Sequence, residues 1–247
     1  MLCSAEGEYI ANCEGDDFWT DRDKLLRQVN HLNLYPNYNI CFHPSDVLND
    51  TGEIKHLLLE YGNCGELEKV ISCSDIILKG GGFMPMASII IRRKVIADLI
   101  EKDSDFLKYN MTHFFYQIFG SDSRGALYLP RKMSTYRSMH QGSWSYKVER
   151  DVDLKIAAIN KYIESVLKAN KLTDYLYDKE FRLVIRQRIF NTLKQEFFPL
   201  SYKKKLYREN LIYLSIKEII VWNIILRFRP VSFIFFKLKR LYNKCWF

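Results

Sequence analysis

The chain opens without a basic stretch, an apolar core and a small-residue cleavage site, so nothing in its first residues marks it for secretion. It also lacks a clean membrane-spanning run. Its best apolar stretch, Leu211 to Leu226, is interrupted by Lys217 and Glu218, and Val231 to Phe236 is too short to cross a bilayer. No Cys-x-x-Cys pair occurs among the cysteines at positions 3, 13, 41, 64, 73 and 245. Several of these sit in apolar strand-like or helix-like surroundings, where a thiol behaves as a small hydrophobe, which predicts free thiols in a reducing cytosol. Gly80-Gly-Gly82 lacks the Gly-x-x-x-x-Gly-Lys spacing of a phosphate-binding loop and reads as a flexible turn. No internal repeat, low-complexity tract or nucleic-acid recognition motif is found.

Acidic residues are scarce at the C-terminal end. From Phe181 to Phe247 there are 15 Lys or Arg against 3 Glu, a balance of +12, so the first 180 residues carry −4 of the chain's net +8. The basic character belongs to the tail. There, Lys203-Lys-Lys205, Leu211 to Leu226 and Phe233 to Leu238 interleave bulky apolar residues with cations. Such segments suit the anionic inner face of a cell membrane, where each Lys or Arg near the lipid adds about 1 kcal/mol. A helical bundle with a solvated basic rim has the same composition.

What the chain does contain is ample core material, with 48% hydrophobic and 15% aromatic residues over 247 positions. Its first part alternates strand and helix patterns. Strands are expected at Tyr9 to Cys13, Tyr38 to His43, Met86 to Ile91 and Ala126 to Leu129. Helices are expected at Asp23 to Leu34, Lys94 to Lys102 and Met111 to Phe119. From about Asp151 the pattern is helical, with Leu154, Ile156, Ile159, Tyr162, Ile163 and Val166 at helical spacing and then Phe181, Ile185, Ile189 and Leu193. The expectation is an α/β domain over residues 1–150 and a basic helical appendage over 151–247.

Within the first domain the chemistry concentrates in Tyr9-Ile-Ala-Asn-Cys-Glu-Gly-Asp-Asp-Phe-Trp19. An apolar strand ends in three carboxylates around Gly15, which would let the backbone turn so that Glu14 and Asp16 converge on one ion. Oxygen-only ligands favour Mg2+ or Mn2+ over zinc. The same residues also describe a solvated turn before a helix, with Thr20 and Asp23 as a capping pair ahead of Leu25, Leu26, Val29 and Leu32. His43, at the end of a strand, reads as a satisfied core imidazole. Arg137 can pair with phosphate or carboxylate. Trp144 offers a flat apolar face to a sugar ring, or else fills a core.

The block from Gly7 to His43 closely resembles the family 2 glycosyltransferases of bacterial surface-polysaccharide synthesis: Gly-Glu-Tyr-Ile-Ala, Glu-Gly-Asp-Asp-Phe-Trp-Thr-Asp, Lys24-Leu25, Gln28-Val29 and Asn39-Ile-Cys-Phe-His43. Gly82 to Arg93 looks like the segment running under that family's acceptor site. Gly125 to Pro130, Met133 to Arg137 and Gly142 to Ser145 look like the end of its catalytic domain. The resemblance covers about the first 150 residues, in the family's order.

This resemblance implies a truncated GT-A domain, Rossmann-like with a mixed sheet, that moves a hexose from a nucleotide-diphosphate sugar to a polysaccharide or lipid-linked acceptor, usually with inversion. It makes Asp16 the direct ligand of the cation. Glu14 stands at the first position of an Asp-x-Asp-type motif, at the ribose or a metal-bound water, and Asp17 supports the metal or the sugar hydroxyls. His140 falls near the metal and diphosphate, as a further ligand of the cation beside Asp16 and Glu14. Where the family places an Asp as general base this chain has His113, beside Phe114 and Phe115; such a histidine is either the base or a packed residue. The family's N-terminal nucleotide-binding half has no counterpart before Gly7, so the resemblance also admits a non-catalytic fragment, or one piece of a split enzyme whose partner is a separately encoded N-terminal half.

Overall fold

The computed structural model describes residues 6–48, 61–105, 112–121, 124–138 and 140–227. Cys3, Cys245 and Phe233 to Leu238 lie outside them. The chain divides into one compact unit through Glu180 and another from Phe181.

The first unit is built on a five-stranded mixed sheet. Its strands are β1 (Tyr9–Ala11), β3 (Ile40–Phe42), β5 (Lys69–Ile71), β6 (Ile90–Arg92) and β7 (Ala126–Tyr128), in the order β1-β6-β3-β7-β5. Only β3 and β7 run parallel, with Cys41 opposite Leu127 and Phe42 opposite Tyr128. Ile40-Cys-Phe42 and Ala126-Leu-Tyr128 are buried at every position, as strands covered on both faces must be. β1 lies at a sheet edge and its partner is antiparallel β6, with Ile10 opposite Ile91. A smaller sheet joins β2 (Phe18–Trp19), β8 (Ser134–Arg137) and β4 (Asp46–Leu48) in the order β2-β8-β4. β2, β4, β5 and β8 lie outside the longer apolar runs that mark β1, β3, β6 and β7 in the sequence.

Helix α1 (Lys24–Leu34) turns Lys24, Gln28 and Leu32 inward at fourfold spacing. The Gln28 amide nitrogen donates to the carbonyls of Ser88 (2.8 Å) and Cys41 (3.3 Å), stitching the helix to the sheet. Its start is organised differently from the expected Thr20–Asp23 pair. Asp21 Oδ1 accepts from the Asp23 N–H at 2.8 Å, while the Thr20 N–H is spent on the Met133 carbonyl at 3.0 Å. The strand expected at Met86 begins as a 3-10 turn over Met86–Ser88, because the Pro85 carbonyl takes both the N–H and the hydroxyl of Ser88 (2.9 and 2.7 Å).

Helix α2 (Cys73–Leu78) is capped by Ser72, helix α3 (Arg93–Lys102) follows β6, and helix α4 (Thr112–Ser121) buries Phe114 through Ile118 as a continuous run. α4 lies close on the sheet at Gly120, where a Cβ would stand 2.9 Å from side-chain atoms of Ile40 and Ile91. Helices α5 (Trp144–Arg150) and α6 (Val152–Leu172) are capped by Ser143 and Asp151. The first unit extends past residue 150 because α6 packs Tyr162 against Phe114, ring centroids 6.1 Å apart, and pairs Lys168 with Asp103 at 3.0 Å.

The second unit contains most of α7 (Asp178–Lys194), with α8 (Leu200–Glu209) and α9 (Ile216–Arg227). Glu218 accepts from the N–H and hydroxyl of Ser215, each at 2.8 Å, and from Arg186 at 2.9 Å, so one carboxylate caps α9 and ties it to α7. Trp222 is buried edge-on to Phe190. No helix among the described residues is long and apolar enough to cross a membrane.

Gly125 adopts φ +91°, and a Cβ there would fall 2.5 Å from the Ile71 carbonyl oxygen. Gly125→Ala adds left-handed strain to a backbone clash and is expected to lower unfolding free energy by about 2 kcal/mol or more in urea titration.

Candidate functional site

The carboxylate cluster sits in the turn between β1 and β2. The Asp17 N–H closes that turn on the Glu14 carbonyl at 3.0 Å. Gly15 is not what makes it possible: its φ is not in the left-handed region, and a Cβ would meet nothing within 4 Å. The turn is available to any residue, and its apex faces open space.

Asp16 and Asp17, adjacent in sequence, have opposite fates. Asp17 points inward and is 8% exposed. Its Oδ1 accepts the backbone N–H of Arg137 at 3.0 Å, joining the turn to the end of β8, while Oδ2 is buried with no hydrogen-bond partner among the described residues. Burial raises the Asp17 carboxyl to about 6; the Arg137 N–H opposes the shift, Glu14 and Asp16 add to it, and His140 opposes it. Glu14 is raised by burial and then by Asp16.

Asp16 turns outward and its Oδ2 meets His140 Nε2 at 2.8 Å. The other ring nitrogen of His140 lies 3.2 Å from the Gln141 carbonyl. Both partners are acceptors, so the ring is satisfied as the doubly protonated imidazolium. In line with this, its pKa is raised, chiefly by the bond to Asp16.

The structure therefore gathers Glu14, Asp16, Asp17 and His140 with the backbone of Arg137. The Arg137 side chain is exposed at the end of β8 and makes no ion pair with the described residues. Trp144 opens α5 at 67% exposure, which excludes the core alternative for its ring. His113 is half-buried in the first turn of α4; burial alone lowers its pKa, with no carboxylate contributing. His43 is fully buried, bonds through Nδ1 to the Pro44 carbonyl (2.9 Å) and is pulled down to about 3 by burial, so it remains a neutral core residue.

Sequence reasoning passed over several neighbours. Tyr61 and Tyr136 stack edge-on at 5.2 Å, and the carboxylates contribute to the raised pKa of each, behind burial. Tyr136 lies inside the Ser-Thr-Tyr-Arg motif, which was its available signal. Lys24, 1% exposed, holds its Nζ 4.5 Å over the Trp19 ring and is lowered by burial to about 8. The Trp19 indole in turn donates to the Ala87 carbonyl at 3.0 Å, tying β2 to the Met86–Ser88 turn.

The fold of this chain is similar to a glycosyltransferase's. TarS of S. aureus, residues 1–349 in complex with UDP-GlcNAc, superposes with a TM-score of 0.57 at 11% identity over 87% of this chain and 60% of that one. A longer TarS structure gives 0.51 at 11% identity, over 87% of this chain and 36% of its own. In sequence, the uncharacterized proteins Rv1520 of Mycobacterium tuberculosis and Mb1547 of Mycobacterium bovis are each 50% identical over 52 residues, which is 21% of this chain and 15% of theirs. No family model matches the chain.

Among the described residues no three or more His, Cys, Asp or Glu side chains are gathered closely enough to hold a metal ion by themselves, so Glu14, Asp16 and His140 do not form a closed cage. Magnesium-class cations commonly take one or two protein carboxylates and complete their shell with water and substrate phosphates. The unpartnered Asp17 Oδ2 and the raised Glu14 and Asp17 carboxyls are a donor set that a cation would stabilise.

Because folding raises the Asp17 pKa, the ionised carboxylate costs stability above pH 6, and the cost is relieved as pH falls through 6 to below its unfolded value. Asp17→Asn keeps an acceptor for the Arg137 N–H without the charge. In chelator-treated protein it should be more stable than wild type at pH 8 by on the order of 1–3 kcal/mol, with the gap closing by about pH 4 in thermal melts.

Proposed function

We propose that this chain carries the donor-side chemistry of a metal-dependent glycosyltransferase acting on a nucleotide-diphosphate sugar. The observation that carries the reading is the split of Asp16 and Asp17. One carboxylate is anchored inward on the Arg137 N–H, and the next is presented outward beside an imidazolium. Adjacent acidic residues fixed in this way offer oxygen ligands and a cation side by side, the combination a diphosphate leaving group requires. Likeness of fold to TarS, which was crystallised with UDP-GlcNAc, supports a nucleotide sugar as the donor class.

Asp16, the outward carboxylate, would hold Mn2+ or Mg2+, with Asp17 supporting it from inside the turn and Glu14 at the ribose or at a water of the ion's shell. When bound, the cation neutralises charge on the departing diphosphate. His140, as imidazolium, adds a positive donor beside that charge; ligation of the metal by the same ring would require it to lose a proton and its bond to Asp16. The Arg137 guanidinium, exposed and without an ion pair among the described residues, can reach a phosphate oxygen, and the exposed Trp144 ring gives an apolar platform for a sugar.

His113 supplies the proton acceptor in this reading. Burial favours its neutral form, which can take the acceptor hydroxyl proton as that oxygen attacks the anomeric carbon. Its helix is braced by Gln117, whose amide bonds the Gly81 carbonyl at 3.1 Å and accepts the Met84 N–H at 3.4 Å, so α4 and the acceptor-like segment move together. The product is a glycan or lipid-linked glycan, with inversion at the anomeric centre.

Asp16→Asn should leave the melting temperature unchanged and reduce manganese-dependent UDP release from UDP-GlcNAc by at least about a hundredfold. Retention of full activity overturns the assignment. His113→Ala should lower kcat by about 10²-fold or more with donor KM within about twofold; an equal change in both would make His113 a packing residue of α4.

A further inference from the structure

The second unit bears an apolar surface that its own packing does not use. α9 already satisfies the bundle with Trp222, Ile225 and Leu226, each 5% exposed or less. The opposite side of the same helix presents Ile216, Ile220 and Ile224, which are 77%, 56% and 46% exposed and recur every four residues. Val221 stands beside them on α9, and Ile212, on the preceding 3-10 turn, is exposed as well. At 100° per residue Lys217 and Arg227 fall on this same outward side, and both are exposed. A short helix with isoleucines along one line and cations at its margins has the makeup of an interfacial helix.

Charge decides among the possible occupants. A second copy seated on this face would bring Lys217 and Arg227 against their symmetry mates, within segments carrying +12 each over residues 181–247. Residues 228–247 would add Arg229, Lys237, Lys239, Arg240 and Lys244 with no acidic residue, so they too repel the margins of the stripe. An anionic lipid surface complements both the apolar line and its cationic borders. We propose that the Ile216–Ile220–Ile224 face of α9 is a docking surface for an anionic bilayer, with the isoleucines entering the headgroup boundary and Lys217 and Arg227 pairing with lipid phosphates. This narrows the basic tail seen in the sequence to one helix face, and it is independent of the sugar-transfer reading.

The test is flotation of the full chain with vesicles of phosphatidylcholine alone, or with about a third phosphatidylglycerol added. Wild type should float with the anionic vesicles only, and less so as salt is raised. Ile220→Asn, which removes apolar contact without changing charge, should lower the vesicle-bound fraction at least about tenfold, whereas Ile220→Leu stays within about twofold of wild type. Ile216→Asn, at the most exposed of these positions, is the second variant should Ile220→Asn fail to fold. Absence of wild-type flotation, or full flotation of both folded Asn variants, overturns the proposal. So does a wild-type dimer in sedimentation that Ile220→Asn converts to monomer without any vesicle binding, since the face would then be a self-association seam.

Discussion

Asp17 spends one carboxylate oxygen on the Arg137 backbone N–H and leaves the other buried, and the rest of the candidate site is arranged around that bond. A backbone donor has a fixed direction, and β8 supplies it from a strand paired on both sides, with β2 and with β4. The turn after β1 is thereby referred to the second sheet rather than left to its own weak closure. With Asp17 anchored inward, Asp16, one residue earlier in the turn, lies outward against His140. The cost is a carboxyl whose proton affinity rises to about 6, a value outside the ordinary carboxylate range. Local instability of this kind is common where a charged ligand completes a site.

The parts of this arrangement legible in the sequence were those carried by periodicity or by motif. Strong apolar runs located β1, β3, β6, β7 and α1, α3 and α4 within a few residues, and the carboxylates stood out because acidic clusters directly after an apolar strand are conspicuous. The second sheet was not legible, because Phe18-Trp19 and Asp46-Val-Leu48 lie outside the longer apolar runs and their pairing with β8 depends on chain segments more than a hundred, or nearly ninety, residues away. The same holds for the anchor itself, since a backbone N–H has no sequence signature. Arg137 could be singled out for its guanidinium, yet the atom that touches Asp17 belongs to its main chain.

Lys24 and Gln28 show another limit of sequence reading. Both are polar residues on an amphipathic helix, where solvent is the natural expectation, and both are buried. The Gln28 amide nitrogen donates to carbonyls of β3 and the Met86–Ser88 turn, which only the folded sheet brings near. Lys24 lies over the indole face of Trp19, which favours its charge, while burial lowers its pKa to about 8. In unit two, the helical spacing of Phe181, Ile185, Ile189 and Leu193 corresponds to α7, all four being buried on that helix.

Gly120 has a mechanical consequence for any opening and closing of the molecule. With no Cβ, the C-terminal half of α4 rests directly on Ile40 and Ile91, and Gln117 grips the Gly81–Met84 turn one helical turn earlier. That end of the helix cannot slide along the sheet without driving backbone into side chains. His113, at the opposite end of α4, is thus carried on a helix whose C-terminal half is seated directly on the sheet.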